Sequence, residues 1–141
     1  MPTILILVNG LPGSGKFTLP AQLGDVLAVP VLSKDAIKEA VADALDWPVE
    51  RSGALGAASM EMAWSLAATL AGTVVVESWW FRPRDLRHVQ QALERVGSPH
   101  VVEIWCDVSP EIARTRVRER TRHRIHPDVD HLVVACPQRS T

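Results

Sequence analysis

The 141-residue chain has no tyrosine, two phenylalanines, two cysteines and a formal net charge of only -1. Each shortage excludes something. Cys106 and Cys136 lie far apart and form no Cys-x-x-Cys pair, so neither a zinc site nor a disulfide framework is expected. Such cysteine usage fits a reduced, cytoplasmic protein. A charge of -1 creates no global field to gather nucleic acid or an anionic membrane. No apolar run reaches the length of a membrane span. The N-terminal run is too short for a signal sequence and no cleavage site follows it, so no membrane partner is expected. Hydrophobic residues make up 47% of the chain, enough to build the core of one domain over residues 1–141.

What is present starts with residues 3–8, Thr-Ile-Leu-Ile-Leu-Val, an uncharged, β-branched run that suits a strand buried on both faces. Gly10-x-x-x-x-Gly15-Lys16 follows at once, the spacing of a phosphate-binding loop between a strand and a helix. Gly10, Gly13 and Gly15 allow the backbone to fold tightly around a polyphosphate with its amides pointing inward. Ser14, Thr18 and the N-terminus of the following helix complete the cradle, and Lys16 is placed to bridge the β- and γ-phosphates. At the next position the pattern asks for a serine or threonine whose hydroxyl ligates Mg²⁺, and here stands Phe17. Thr18 sits about 100° further around the helix and is a poor substitute. Nucleotide binding is therefore better supported than efficient metal-assisted transfer.

Periodicity predicts a helix over 16–27 interrupted by Pro20, a short strand at 29–32 and a helix over 35–45 with Ile37, Val41, Ala44 and Leu45 inward. A long Ala-rich helix over 51–70 carries Leu55, Ala58, Met62, Leu66 and Leu70 as its stripe, and Met60, Met62 and Trp64 read as core packing rather than a pocket wall. A third strand ends at Glu77, followed by Trp79, Trp80 and Phe81 at its carboxyl end, where open α/β sheets bind ligands. A helix over 84–96, a strand over 100–106, a helix capped by Asp107 or Ser109 and a fifth strand at 131–135 complete the pattern. The last helix is expected to run to Arg124 and holds six of the chain's fifteen lysines and arginines. Two i, i+4 stripes result, Arg116-Arg120-Arg124 and Arg114-Arg118-Arg122. They fit a solvated basic face or a lid that clamps a transferring phosphate.

Together these pieces resemble the small P-loop kinases of the nucleoside-monophosphate-kinase-like fold. The branch is that of the AAA-type ATP-binding kinases, akin to the polynucleotide 5′-hydroxyl kinase domain, chloramphenicol phosphotransferase and the zeta toxins. The resemblance covers roughly residues 3–127 and rests on Gly10 through Lys16, Ser33-Lys34-Asp35, the strand ending in Glu77, and Arg116-Val117 through Arg120 to Arg124-Ile125-His126-Pro127. It implies an α/β, three-layer P-loop fold with a parallel sheet of about five strands, helices on both faces and a short Arg-rich lid. It implies ATP and Mg²⁺, with Asp35 accepting the proton of the acceptor hydroxyl, Arg120 and Arg124 as lid arginines and Glu77 holding metal directly or through water. Asp35 also reads as a helix N-cap. Phe17, Pro20 and a short C-terminal part depart from the pattern.

The leading expectation is a kinase that moves the γ-phosphate of ATP to a hydroxyl of a small molecule or nucleotide, impaired by Phe17. The alternatives are a non-catalytic nucleotide-binding module and a polynucleotide 5′-hydroxyl kinase whose arginines and aromatics grip a single strand.

Overall fold

The computed structural model describes residues 1–15 and 18–126. Within them the elements alternate as β1 (Pro2–Gly10), α1 (Thr18–Leu27), β2 (Val31–Ser33), α2 (Lys34–Leu45), α3 (Ser52–Thr69), β3 (Gly72–Glu77), α4 (Arg82–Arg95), β4 (His100–Cys106) and α5 (Pro110–Glu119). The strands form one parallel sheet in the order β2-β3-β1-β4. The parallel α/β sheet expected from the sequence is present. The fifth strand expected at 131–135 lies outside the described residues, as do Lys16 and Phe17.

The two central strands are the two most continuous apolar runs. Leu5, Val8, Val74, Val75 and Val76 have no exposed surface, as expected for strands covered on both faces. Leu5, Leu7, Val74 and Val76 pack against Trp64 and Ala67 of α3, Ala92 of α4 and Val96 just after it. Each fully buried valine contributes roughly 1.5–3 kcal/mol. Because the strands run parallel, their carboxyl ends share one rim. That rim gathers the loop after β1, the start of α2, residues 78–81 after β3 and the start of α5.

Several expectations are corrected. In α3 the inward line is Ser52, Leu55, Ser59, Ala63, Trp64 and Ala67, whereas Met62 and Leu66 are each 42% exposed. The helix is apolar nearly all round, so its hydropathy carries no direction, and small residues let it approach the sheet closely. In α2 the buried residues are Lys38 and Ala42, while Leu45 is 62% exposed. The N-cap of α2 is Ser33, whose Oγ accepts from the Ala36 amide at 3.3 Å. Asp35 is thus the second helical residue, not the cap. At α5 the cap is Ser109 rather than Asp107, and the helix stops at Glu119 instead of Arg124. Like charges one turn apart oppose its continuation. Pro20 lies buried in α1, one residue beyond the Leu19 amide that already donates to Gly15 O, and the helix runs on to Leu27.

Candidate active site

The loop after β1 turns on two glycines in the left-handed region, Gly13 at φ 81° and Gly15 at φ 90°, a conformation that other residues adopt only with strain. The Ser14 amide donates to Leu11 O and the Thr18 amide to Gly15 O, both at 3.0 Å. A Cβ on Gly10 would lie 2.5 Å from Ser14 Oγ and 3.0 Å from Cys106 Cβ, and one on Gly13 would collide with the Ala113 carbonyl of α5. The glycine pattern therefore answers packing as well as backbone conformation. Ser14 Oγ is buried, and it has no hydrogen-bond partner among the described residues. An orphaned hydroxyl inside a glycine cradle fits a phosphate oxygen.

Asn9, just before the loop, ties it to the neighbouring strand end. Its Oδ1 accepts from the Gly10 amide at 2.8 Å and the Trp80 amide at 2.9 Å, and its Nδ2 donates to Trp80 O at 3.1 Å. Trp80 is thereby held at both backbone groups, and its ring lies 6.1 Å from that of Trp64. The Arg84 guanidinium sits over the Trp79 ring at 5.1 Å.

Glu77 is 1% exposed. Its Oε2 accepts from Ser33 Oγ at 2.7 Å, so the cap of α2 also links β2 to β3. Two hard oxygen donors at the strand ends beside the loop suit a magnesium ion.

A cleft of about 700 Å³ opens on this rim. It takes in Pro12 of the phosphate loop, Lys34, Asp35 and Lys38 of α2, and Gly56, Met60 and Trp64 of α3, and it continues past Trp79 and Trp80 to Arg84 and Asp85. Met60 and Trp64, read as core packing, line the cleft as well as packing on the core. Lys34 Nζ pairs with Asp35 at 3.2 Å. Arg84 grips Asp85 through Nε and Nη2 at 2.8 and 2.7 Å. Burial raises the pKa of Asp85, but hydrogen bonds from Arg84 and the Phe81 amide outweigh it and hold the carboxyl below its ordinary range.

The arginines divide. Arg116 Nη1 reaches Gly13 O at 3.4 Å, and Arg120 is the C-cap residue of α5. Arg124 turns to the other end of α2, donating to Trp47 O at 2.7 Å and Ala42 O at 3.1 Å. Arg122 and His126 line the cleft. His126 Nε2 meets Glu39 Oε1 at 2.7 Å, and burial pushes its pKa down against the opposing pull of Asp35 and Glu39.

The structure thus brings Asp35, Gly10, Gly13, Ser14, Gly15, Thr18 and Glu77 to one rim, with Arg116 against the loop, and it engages Arg124 elsewhere. Asn9 and Lys38 were missed, and Arg122 and His126, read only as parts of the arginine run and the segment after it, prove to line the cleft. The signals for Asn9 and Lys38 were a polar residue ending a buried strand and a lysine on the inner line of a short helix.

A parallel sheet with this strand order, a glycine loop after its first strand and a cleft at its carboxyl rim define a small P-loop kinase fold. The chain belongs to the AAA domain family, which it matches over residues 5–137. No curated protein matches it. Among solved structures it is similar to a protein of Chloroflexus aurantiacus J-10-fl provisionally described as a kinase, with 30% identity and a TM-score of 0.82, covering 95% of this chain and 80% of that one. It is also similar to APE1195, with 26% identity and a TM-score of 0.58 over 82% of this chain and 66% of that one. A gluconokinase from Sinorhizobium meliloti 1021 shares the fold at 16% identity and a TM-score of 0.59, over 95% and 73% of the two chains. By fold and family the protein is of the P-loop kinase class. No helix among the described residues is long and apolar enough to cross a membrane.

Proposed function

We propose that the protein is a kinase that transfers the γ-phosphate of ATP to a hydroxyl group of a small molecule bound in the rim cleft. The observation that carries this reading is that one cleft runs from Pro12 of the phosphate loop to Asp35 and on to Trp79 and Trp80. Donor and acceptor then meet in a single space, and proximity is most of what phosphoryl transfer asks of a protein. Gly10, Gly13, Ser14, Gly15, Lys16 and Thr18 hold the triphosphate. Asp35 takes the proton of the acceptor hydroxyl as its oxygen bonds to the γ-phosphorus, while the bond from that phosphorus to the bridging oxygen breaks and ADP leaves. Lys16, Arg116 and Arg120 stabilise the charge on the transferring group. Mg²⁺, when bound, draws charge from the phosphates, and Glu77 with Ser33 would hold it or its water.

Phe17 bears directly on that metal. The expected hydroxyl is replaced by a ring with no oxygen, and magnesium tolerates poor octahedral geometry badly. The transfer is accordingly slow, and Phe17→Ser should raise Mg²⁺-dependent turnover more than ATP affinity. Consumption of ATP with Mg²⁺ across a panel of hydroxyl acceptors, for the protein as it stands and for Phe17→Ser, tests the reading. Acceptor-dependent ADP release supports it. ATP binding with no ADP release from either protein would leave a nucleotide-binding module.

A further inference from the structure

Lys38 projects from α2 into the cleft, and only 4% of the residue is exposed. Among the described residues its ammonium group makes no hydrogen bond or ion pair, whereas Lys34, one turn earlier, is engaged by Asp35 at 3.2 Å. Both ammonium groups lie over Gly56 of α3. A Cβ built there would stand 3.6 Å from Lys38 Nζ and 3.7 Å from Lys34 Nζ. Arg122 and His126 line the same cleft. Burial first, then the charges of Lys34 and Arg122, push the pKa of Lys38 down, with Asp35 pulling back in part. A buried cation beside other cations costs stability unless an anion answers it. Glycine is a poor helix residue, yet Gly53 and Gly56 both line the cleft from α3 and leave its floor without side chains at this corner.

We propose that this corner is an anion subsite for the phosphate acceptor, which carries a carboxylate or a phosphate monoester, besides its reactive hydroxyl, bound by Lys38 with Lys34 and Arg122 beside it. The proposal rests on the kinase reading and narrows its acceptor to small hydroxylated anions. The spacing suits one small molecule: Asp35 and Lys38 are three residues apart on α2, less than one helical turn of about 5.4 Å along the axis. The hydroxyl would face Asp35 while the anionic group sits on Lys38. The aromatic surface of Trp64 and Trp80 remains for the body of the molecule.

The test is calorimetric titration of protein already loaded with a non-hydrolysable ATP analogue, so that the phosphate loop is occupied before the probe arrives. The probes are glycerol, glycerate and glycerol 1-phosphate, which share a polyol and differ in the anionic group. Glycerate or glycerol 1-phosphate should bind and glycerol should not, and the better anion identifies the group. Lys38→Met should weaken that binding by about tenfold or more, leave the affinity for the analogue unchanged and raise the melting temperature. Lys38→Arg should keep the binding. Equal binding of glycerol, no binding of either anion, or unchanged binding in Lys38→Met overturns the proposal. So does a melting temperature that falls in Lys38→Met, since that marks a structural lysine. Failure of the analogue to bind overturns the kinase reading instead, and the comparison of native protein with Lys38→Met, repeated without analogue, then decides the anion site alone.

Discussion

On the α4 wall of the cleft the charges of Arg84, Asp85 and Glu61 have their answers inside the protein. Arg84 holds Asp85 through two hydrogen bonds, and Arg95 holds Glu61 of α3 the same way at 2.8 and 3.3 Å. The Arg95 hydrogen bond lowers the pKa of Glu61. The α2 wall differs. There Lys34 engages Asp35 and His126 meets Glu39, but Lys38 is buried without an ion pair among the described residues, and burial lowers the pKa of His126 despite Glu39. The α4 wall is arranged for stability, and the α2 wall carries the cost that a binding surface imposes. Charge that is balanced before any ligand arrives has little left to offer it.

Matched substitutions on the two walls can break that comparison. The largest effect is expected at Asp35. Asp35→Asn should lower turnover by a factor of about 10² to 10⁴ while the protein still folds. Asp85→Asn should do the reverse, lowering the melting temperature by a few degrees through loss of the Arg84 pair while transfer continues. ADP release and thermal unfolding of both variants check this, and equal turnover in the two would remove Asp35 from the chemistry.

The arginines after α5 sharpen the contrast at an intermediate scale. Arg124 caps the carboxyl end of α2 through the Ala42 and Trp47 carbonyls. Arg124→Ala should therefore cost roughly 1 kcal/mol of stability, a cation at a helix C-terminus with its hydrogen bonds. Arg120→Ala should lower turnover more than ATP affinity and leave the melting temperature in place, because a clamp acts on developing charge. If Arg124→Ala slows turnover as much as Arg120→Ala without loss of stability, both arginines serve the phosphate.

The smallest effect is in pH. Burial lowers the pKa of His126 below 6.5 in the folded protein. The unfolded chain then binds the proton first as pH falls, so the contribution of His126 is fully present above about pH 6.5 and fades below it as pH approaches the folded value. Denaturant unfolding between pH 8 and 5 should show stability declining below about pH 6.5, and His126→Gln should flatten part of that decline.

Legibility followed the physics of each element. β1 and the loop after it were readable because a phosphate cradle demands glycine at set positions, and Gly13 and Gly15 do adopt positive φ. β3 was readable as a β-branched run, Thr73 and three valines, between Gly72 and Glu77. The rim aromatics were placed by the rule that ligands meet a parallel sheet at its carboxyl ends, and Trp79 and Trp80 do line the cleft. The face of α3 was not readable, since a helix apolar on every side has no preferred direction until the sheet selects its small residues. Nor was α2, whose inward line runs through Lys38, a residue that hydropathy assigns to solvent. The arginine run misled through length. Arginine favours helix in isolation, yet the chain leaves α5 at Glu119 and returns to α2 and α3, with Arg124 donating to Ala42 O and Ser52 Oγ donating to Ile125 O.

The carboxamide of Asn9 makes one mechanical part of two loops that hydropathy and motif treat as separate. Its oxygen and nitrogen together fix the Gly10 amide and both backbone groups of Trp80. The start of the phosphate loop and the aromatic turn after β3 are therefore bolted at a shared point, and a shift in one is transmitted to the other. For engineering, the unit to transplant or redesign is this bolted pair. A new acceptor loop grafted after Glu77 would have to present its backbone to Asn9, or the mouth of the phosphate loop would lose its brace.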